Sequence, residues 1–246
     1  FIDTFLFLSI NIIFFFLLKY LARFFFKKSL LSFSERGKGN GTIYYSSHSK
    51  GWQLFRRHIL IIVKEPTFLL NTLLSMVVPI IMFLVFSFSG QISLEMLTSE
   101  SLQPFLVLIF SAIIISPAIV SNISSTAITR EGKAFWQIKV LPINAENNIK
   151  YRILTTIVIN LTGTLILGVF SVIFLPITGR IIILGGILAI TITLFLSVID
   201  FIINIYRPLL NWSHPTAAVK NNMNVTISLG IRAVMAGIIY GLYKLM

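Results

Sequence analysis

Long runs of apolar residues dominate the chain, and they predict helices that cross a membrane. A helix needs about 20 mostly apolar residues to cross a hydrocarbon core of about 30 Å. Six segments approach that length, and they lie at about residues 5–26, 68–89, 102–121, 153–174, 181–203 and 225–243. These runs are continuous, whereas a membrane β-barrel needs short alternating strands. The pattern therefore predicts an all-α, polytopic membrane helix bundle with about six transmembrane helices.

Two polar segments separate the first and second predicted spans. Residues 31–51 are rich in Gly, Ser and charge and lack apolar periodicity, which is typical of a flexible linker. In residues 52–66, apolar side chains recur at helical spacing while Arg56 and Arg57 lie on the other side. This pattern predicts an amphipathic surface helix with Trp52 at headgroup depth. The alternative is a basic flank that only anchors the next span.

Composition agrees with a membrane protein and removes several function classes. The chain is 56% hydrophobic and 11% charged, whereas soluble domains have about 25% charged residues. It has no cysteine, so disulfides, thiolate metal sites and cysteine nucleophiles are excluded. The three histidines are scattered and no phosphate-loop motif occurs. We therefore expect no metal, no bound cofactor and no enzymatic site in this chain.

The distribution of charge predicts the orientation of the chain. Of the 20 basic residues, 17 fall on one side of the predicted membrane: around the linker, in the loop after the third span and after the fifth span. Such an excess of Lys and Arg marks cytoplasmic loops. It also accounts for the net charge of +12 without a nucleic-acid partner.

The loop at residues 121–152 is too long for a simple turn and too apolar for a solvated segment. It combines charged, small and aromatic residues, which are Arg130, Glu131, Gly132, Lys133, Phe135 and Trp136. Because glycine accepts positive φ, Gly132 allows a sharp reversal of the chain. A short amphipathic helix that projects from the membrane needs a cover for its aromatic side. Lipid headgroups and a cytoplasmic partner subunit are both open as that cover.

Four polar residues near the last two spans are candidates for intramembrane pairing or for a transport pathway. Asp200, Asn204 and Arg207 fall on one stripe of a helix, which predicts a link from Asp200 to Arg207, through Asn204. Arg232 lies about 15 Å into the last span and must face the bundle interior or a water-filled path. Binding of an anionic group of cargo and pairing with a neighbouring helix are both open for Arg232.

Three segments resemble type-2 ATP-binding-cassette (ABC) exporter permeases. The loop of that family, in which an EGK…LPI stretch connects two spans, is similar to TREGKAFWQIKVLPINAENNIKYR. The family's surface "elbow" helix and following span resemble FRRHILIIVKEPTFLLNTLL. A cytoplasmic segment of some bacterial members with two fused halves resembles IYRPLLNWSHPTAAVKNNMN. Together the three segments extend from about Phe55 to Asn224.

The resemblance implies a permease subunit that couples ATP hydrolysis on a separate ATPase to export. ATP would bind the partner subunit and not this chain. The resemblance places a coupling helix at about residues 124–143, and the candidate ATPase contacts are Arg130, Glu131, Gly132, Lys133, Phe135 and Trp136. The implied partners are the ATPase, the lipid bilayer and a second permease half or a second copy, in a bacterial cell membrane.

The resemblance also divides the chain. Residues 1–30 would be the last span of a preceding half, residues 31–51 a linker, and residues 52–246 the permease domain with its elbow helix at 52–66. A half of this family has six spans, but five follow the linker, which implies a missing final span. A secondary transporter and a non-transporting scaffold or assembly protein are the alternatives. A secondary transporter would place ionisable residues near the membrane midplane, where the sequence puts only Arg232.

Overall fold

The computed structural model describes residues 16, 19, 20, 23, 49–89, 103–140, 144–175 and 177–245. The chain divides into two units, Phe1–Ser47 and His48–Met246, and nearly all described residues belong to the second. Apart from four helical positions, the predicted first span at 5–26 lies outside the described residues. The same holds for most of the predicted linker at 31–51.

Most of the described residues are helical and none of them lies in a strand, which confirms the all-α prediction for this part of the chain. The helices are α1 Lys50–Lys64, α2 Pro66–Phe88, α3 Gln103–Val120, a 3₁₀ helix Thr129–Phe135, α4 Trp136–Val140, α5 Ala145–Phe174, α6 Gly179–Tyr206, α7 Pro215–Val219 and α8 Met223–Leu245.

Four segments of the described chain are long and apolar enough to cross a membrane. They are α2, α5, α6 and the stretch Pro215–Gly241, which contains α7 and most of α8. α3 is apolar but shorter, with its membrane-like part at Phe105–Val120. Large apolar side chains such as Leu165, Ile183 and Val234 are exposed on the outer faces, as expected where lipid is the solvent. The chain is therefore a multi-pass membrane protein, and a count of six spans remains a prediction.

α1 is the predicted amphipathic helix, and local chemistry sets both of its ends. At its start the Trp52 N–H donates to Ser49 Oγ at 3.4 Å, which caps a free backbone donor. It ends at Lys64, and Pro66 opens α2 at the position where proline fits a helix. Its buried face is formed by Leu54, His58 and Ile62. The predicted apolar face differs in part, since Trp52 and Val63 are exposed.

The main apolar core lies between α2, α3, α5 and α6. Its buried residues include Phe83, Phe110, Leu167 and Ile181. α3 and α6 approach closely at Gly185, where an added Cβ would lie 2.6 Å from the Phe110 ring. A glycine at this position therefore permits the packing of these two helices.

Pro117 lies inside α3 without breaking it. Proline lacks an N–H, so the carbonyl four residues earlier, that of Ile113, loses its helical partner. The Ser116 hydroxyl donates to this carbonyl at 2.7 Å. The helix thus replaces the lost hydrogen bond with its own side chain.

Candidate functional site

Buried polar side chains concentrate at one end of the bundle, which we call the polar end. It comprises residues 49–66, 121–152 and 207–224, where α2, α5 and α8 begin and α3 and α6 end. α1 and α7 both contact the 3₁₀ helix there, and α1 also packs on α5. The loop after α3 is therefore contacted by both α1 and α7.

Gly132 reverses the chain in the middle of this loop. Its φ is 52° and its ψ is −133°, so the positive φ that the sequence predicted is confirmed. The Trp212 ring packs directly on it, and a Cβ at this position would lie 2.7 Å from ring atoms. Both the backbone angle and the close ring require glycine.

Glu131, just before this reversal, is the centre of a buried cluster of charges. Arg152 Nη2 donates to Glu131 Oε1 at 2.6 Å. Arg57 Nη2 lies 3.8 Å from Oε2, and His58 Nδ1 lies 3.8 Å from Oε1. The side chain of Glu131 is 1% exposed. This carboxylate therefore holds the loop against α5 directly and faces α1 on its other side.

His58 is neutral within this cluster. Burial, and after it the positive charges of Arg152 and Arg57, lower its pKa from 6.5 to about 3, while a hydrogen bond with Asn148 opposes the change. A neutral imidazole makes no ion pair, so its approach to Glu131 is a polar contact only.

Arg130 is the second fully buried guanidinium beside Arg152. Its Nη2 donates to the Ile123 carbonyl at 2.6 Å. Burial, and after it the positive charge of Arg152, lower the pKa of Arg130 from 12.5 to about 9, while the charge of Glu131 opposes the change. Arg130 therefore stays charged at neutral pH, inside the protein.

A second cluster, centred on Thr129, joins the same loop to α6 and to the segment after it. Asn204 Oδ1 accepts from the Ile128 N–H at 2.6 Å, and Asn204 Nδ2 donates to Thr129 Oγ1 at 2.8 Å. The Leu209 N–H donates to the same hydroxyl at 3.1 Å. Trp212 Nε1 donates to the Thr129 carbonyl at 2.7 Å. Thr129 thus holds the loop to the end of α6 at several points.

Asp200 pairs with Arg232 and not with Arg207. Arg232, on α8, donates to the Asp200 carboxylate and to the Ile119 carbonyl, and at 3.1 Å to the Ser121 carbonyl. The expected link through Asn204 to Arg207 does not form. Asp200 and Asn204 lie on the buried face of α6, whereas Arg207 lies beyond its end and is exposed.

Arg232 and Arg207 therefore have different surroundings. The carbonyls that Arg232 binds are at the end of α3, where they lack helical partners. Arg232 thus joins α3, α6 and α8. The backbone carbonyl of Arg207 accepts from Asn224 Nδ2 at 2.7 Å, which connects the segment after α6 to α8.

The six candidate partner contacts divide at Gly132. Arg130, Glu131 and Gly132 are buried, so they cannot present their side chains to another subunit. Lys133 is exposed, Phe135 is half-buried, and Trp136 is 60% exposed. Of these six residues, only those after the reversal expose their side chains, and α4 continues this segment to Val140.

Sequence reasoning missed several residues of these clusters. Arg152 was counted only as a cytoplasmic charge, Arg57 was placed only on the polar side of the surface helix, and His58 was treated only as a scattered histidine. Asn160 Nδ2 donates to Ser197 Oγ at 2.9 Å between α5 and α6, and Thr164 and Thr193 meet one turn further at 3.2 Å. These polar residues lie four positions apart on each of two predicted spans, and this spacing could have predicted a polar contact between the two helices.

Comparison with known proteins adds no family to this description. No family model, no curated protein and no solved structure matches the chain. Within the described residues no three His, Asp or Glu side chains gather as a metal site would need. The described clusters are thus mainly joints between helices, and their function is inferred from what they connect.

Proposed function

We propose that this chain is the membrane-spanning permease subunit of an ABC transporter, most simply an exporter. A separate ATPase subunit would supply the energy, and a second permease half or a second copy would complete the pathway. The multi-pass helical architecture and the three segments that resemble type-2 permeases support this proposal. The basic polar end would face the cytoplasm of a bacterial cell, in accord with the positive-inside rule.

The observation that carries the proposal is the division of the loop at Gly132. Before the reversal, Glu131 is bound to Arg152 of α5 at 2.6 Å and Thr129 to Asn204 of α6 at 2.8 Å. After the reversal, Trp136 is exposed to any partner. A force on the exposed half would reach two membrane-length helices through short, buried polar contacts. A lever between an ATPase and the transport pathway needs this connection.

In this proposal the six residues have two roles. Lys133, Phe135 and Trp136 would contact the ATPase. The other three are buried. Arg130, Glu131 and Gly132 would fix the position of the exposed part of the loop after Gly132. α1 would be the lateral elbow helix at the membrane surface.

A photo-crosslinking residue at position 136 tests the contact in intact cells. The matched control is position 52, since Trp52 is also an exposed tryptophan of the polar end, at 51% exposure. We expect position 136 to crosslink to a polypeptide that carries a nucleotide-binding P-loop, and position 52 to crosslink to lipid. Crosslinks to lipid alone at both positions would overturn the proposal.

ATP hydrolysis by the co-purified subunit is the second readout. We expect Trp136→Ala to reduce the stimulation of hydrolysis by this chain, because it removes the largest exposed side chain of α4. Trp52→Ala should leave the stimulation near that of the wild type. The midpoint of thermal unfolding should be unchanged in both variants, since neither side chain is buried.

A secondary transporter is the second candidate, and the Asp200–Arg232 pair favours it. An acidic and a basic residue meet between α6 and α8, and paired ionisable residues between membrane helices can mark a transport pathway. Cargo movement driven by a proton or sodium gradient in vesicles without any ATPase would establish this alternative. A scaffold or assembly protein would show neither activity.

A further inference from the structure

Helix α1 has a free face on which apolar and cationic side chains lie side by side. Its other face is buried against the loop after α3 and against α5. On the free face Trp52 and Val63 are 51% and 46% exposed. Arg56 is exposed on the same stripe of the helix, one turn after Trp52, and Lys64 is exposed beside that stripe. This arrangement is typical of a helix that lies in the interface of a membrane, with its apolar side chains toward the hydrocarbon.

Both ends of α1 lie where membrane-length helices begin. α1 ends at Lys64, and Pro66 begins α2. At the other end Gly51 packs directly on the ring of Tyr151, which precedes Arg152, the last charged residue of α5. Both α2 and α5 are long and apolar enough to cross a membrane. α1 is about 22 Å long and therefore runs along the level at which α2 and α5 enter the bilayer.

The cations of this free face have no carboxylate partner among the described residues. Neither Arg56 nor Lys64 takes part in the ion pairs of that part of the chain. Other exposed cations of the polar end add to the positive charge, and they are Lys50, Lys133, Lys150, Arg207 and Lys220. Within the described residues, the exposed carboxylate of the polar end is that of Glu146. The charge of the free face is therefore complementary to an anionic partner.

The position and the chemistry of this face together favour lipid as the partner. The phosphate groups of the headgroups lie at the level of α1, and arginine and lysine side chains bind phosphate oxygens. Trp52 and Val63 would reach the hydrocarbon boundary, where tryptophan is enriched. An acidic protein surface or a nucleic acid would leave these two apolar side chains against polar groups. Anionic headgroups are preferred to zwitterionic ones, since each cation near the surface favours a negatively charged leaflet.

We propose that the free face of α1 is a binding site for the headgroups of anionic phospholipids. Arg56 and Lys64 would contact the phosphate groups, and Trp52 and Val63 would lie at the top of the acyl chains. On the buried side of the same helix, Arg57 lies 3.8 Å from Glu131 of the loop. Bound anionic lipid would therefore also hold α1 against this loop. The site does not depend on the proposed transport function.

Quenching of tryptophan fluorescence by brominated lipid tests the site in vesicles. The purified chain is reconstituted into two mixtures, each with equal amounts of phosphatidylglycerol and phosphatidylcholine. Phosphatidylglycerol carries bromine near the top of its acyl chains in one mixture and phosphatidylcholine carries it in the other, so the membrane charge is the same. We expect stronger quenching with brominated phosphatidylglycerol, since each cation should enrich the anionic lipid beside Trp52 by about fivefold. Equal quenching in the two mixtures would refute the site.

Three variants assign this excess quenching to the residues of α1. Trp52→Phe should remove it, and an excess that persists would place the bound lipid elsewhere on the chain and contradict the proposal. Arg56→Gln/Lys64→Gln should reduce the enrichment by about 25-fold, to that of a neutral surface. The matched control Lys133→Gln/Lys220→Gln also removes two exposed cations of the polar end and should keep the excess. An equal loss in both double variants would show that the overall charge attracts the lipid, and would sink the assignment to α1.

Discussion

Arg152 Nη2 donates to Glu131 Oε1 at 2.6 Å, and this buried ion pair joins the loop after α3 to the first turns of α5. The two residues are 21 positions apart in the sequence, and α4 lies between them along the chain. Arg152 also donates from Nη1 to the Ala127 carbonyl at 2.9 Å. A single guanidinium therefore holds both the backbone and a carboxylate of the loop.

Removal of the Glu131 carboxylate is expected to be severely destabilising. Glu131→Gln keeps the size of the side chain but leaves Arg152 and Arg130 buried without an anion. The expected loss is about 3–5 kcal/mol of unfolding free energy, as for other broken buried pairs. Chemical or thermal unfolding in detergent measures it.

Arg57 provides the matched control for this ion pair. Its guanidinium is 27% exposed and lies 3.8 Å from Glu131, so Arg57→Gln should cost about 0–1 kcal/mol. The Glu131→Gln/Arg152→Gln double variant should lose less unfolding free energy than the two single variants lose in sum. Additive losses would show that the pair has no coupling.

Gly132 is expected to tolerate no side chain. Gly132→Ala would place a Cβ 2.7 Å from the Trp212 ring on a residue with φ of 52°. A positive φ combined with a ψ of −133° is a backbone conformation that glycine adopts readily and that costs an L-residue about 1–3 kcal/mol. Displacement of the ring adds to this cost. The unfolding midpoint should fall, and the Trp fluorescence should change because Trp212 moves.

Gly186 is the control for this substitution. It lies inside α6 with nothing within 4 Å of an added Cβ, so Gly186→Ala should be neutral or stabilising by up to about 1 kcal/mol. A loss at Gly186 as large as that at Gly132 would contradict the argument from local geometry.

The sequence contained the local features of this fold but few of its long-range partners. Helices α2 and α6 begin and end within three residues of the predicted spans, because apolar length and proline positions are local signals. Helix α5 ends with its predicted span at residue 174 but begins eight residues earlier, at Ala145. The reversal at Gly132 was likewise predictable from one residue type. Asp200, by contrast, was assigned a partner on its own helix stripe.

The observed partner of Asp200 shows why such assignments fail. Arg232 is 32 positions away, and its approach depends on how α6 and α8 pack, which periodicity does not encode. Glu131 was given as a candidate contact for a partner subunit because of the resemblance alone. Its burial depends on Arg152 of α5, 21 positions away, and the sequence pattern does not pair these two residues.

Asn204 is expected to be the most sensitive position of the second cluster. Asn204→Ala would remove the acceptor of the Ile128 N–H at 2.6 Å and the donor to Thr129 at 2.8 Å. Each buried group left unsatisfied costs about 1–3 kcal/mol. The unfolding free energy should therefore fall by about 2–5 kcal/mol, and hydrogen exchange at the Ile128 amide should become faster.

A threonine on the same helix serves as the control for Asn204. Thr191 is exposed and its hydroxyl donates to the Ile187 carbonyl of its own helix at 2.9 Å. Thr191→Ala should change the unfolding free energy by less than about 1 kcal/mol. Unchanged exchange at Ile128 in Asn204→Ala would show that this contact does not hold the loop.

The Asp200–Arg232 pair is expected to be structural, and a paired substitution separates this from a role in cargo binding. Asp200→Asn alone leaves Arg232 buried without its carboxylate, which should cost about 3–5 kcal/mol. The combined change Asp200→Asn/Arg232→Met removes both charges and should recover much of the stability. Transport that also recovers in the double variant would assign the pair to packing, whereas recovered folding without transport would assign it to the pathway.

The neutral state of His58 predicts that mild acid destabilises the fold. Burial and the adjacent arginines lower its pKa to about 3 in the folded protein, whereas the unfolded imidazole titrates near its ordinary value of 6.5. Between these two values the unfolded chain binds the additional proton, so stability rises with pH across this window and is constant above it. From about pH 7 to pH 5 the expected loss of unfolding free energy from this group is about 2 kcal/mol, at about 1.4 kcal/mol per pH unit below 6.5.

His58→Gln should lose this part of the pH dependence, and His214→Gln should keep it, because His214 is exposed. Equal pH profiles for the wild type and His58→Gln, measured by thermal unfolding in detergent, would show that this imidazole is not the group that titrates.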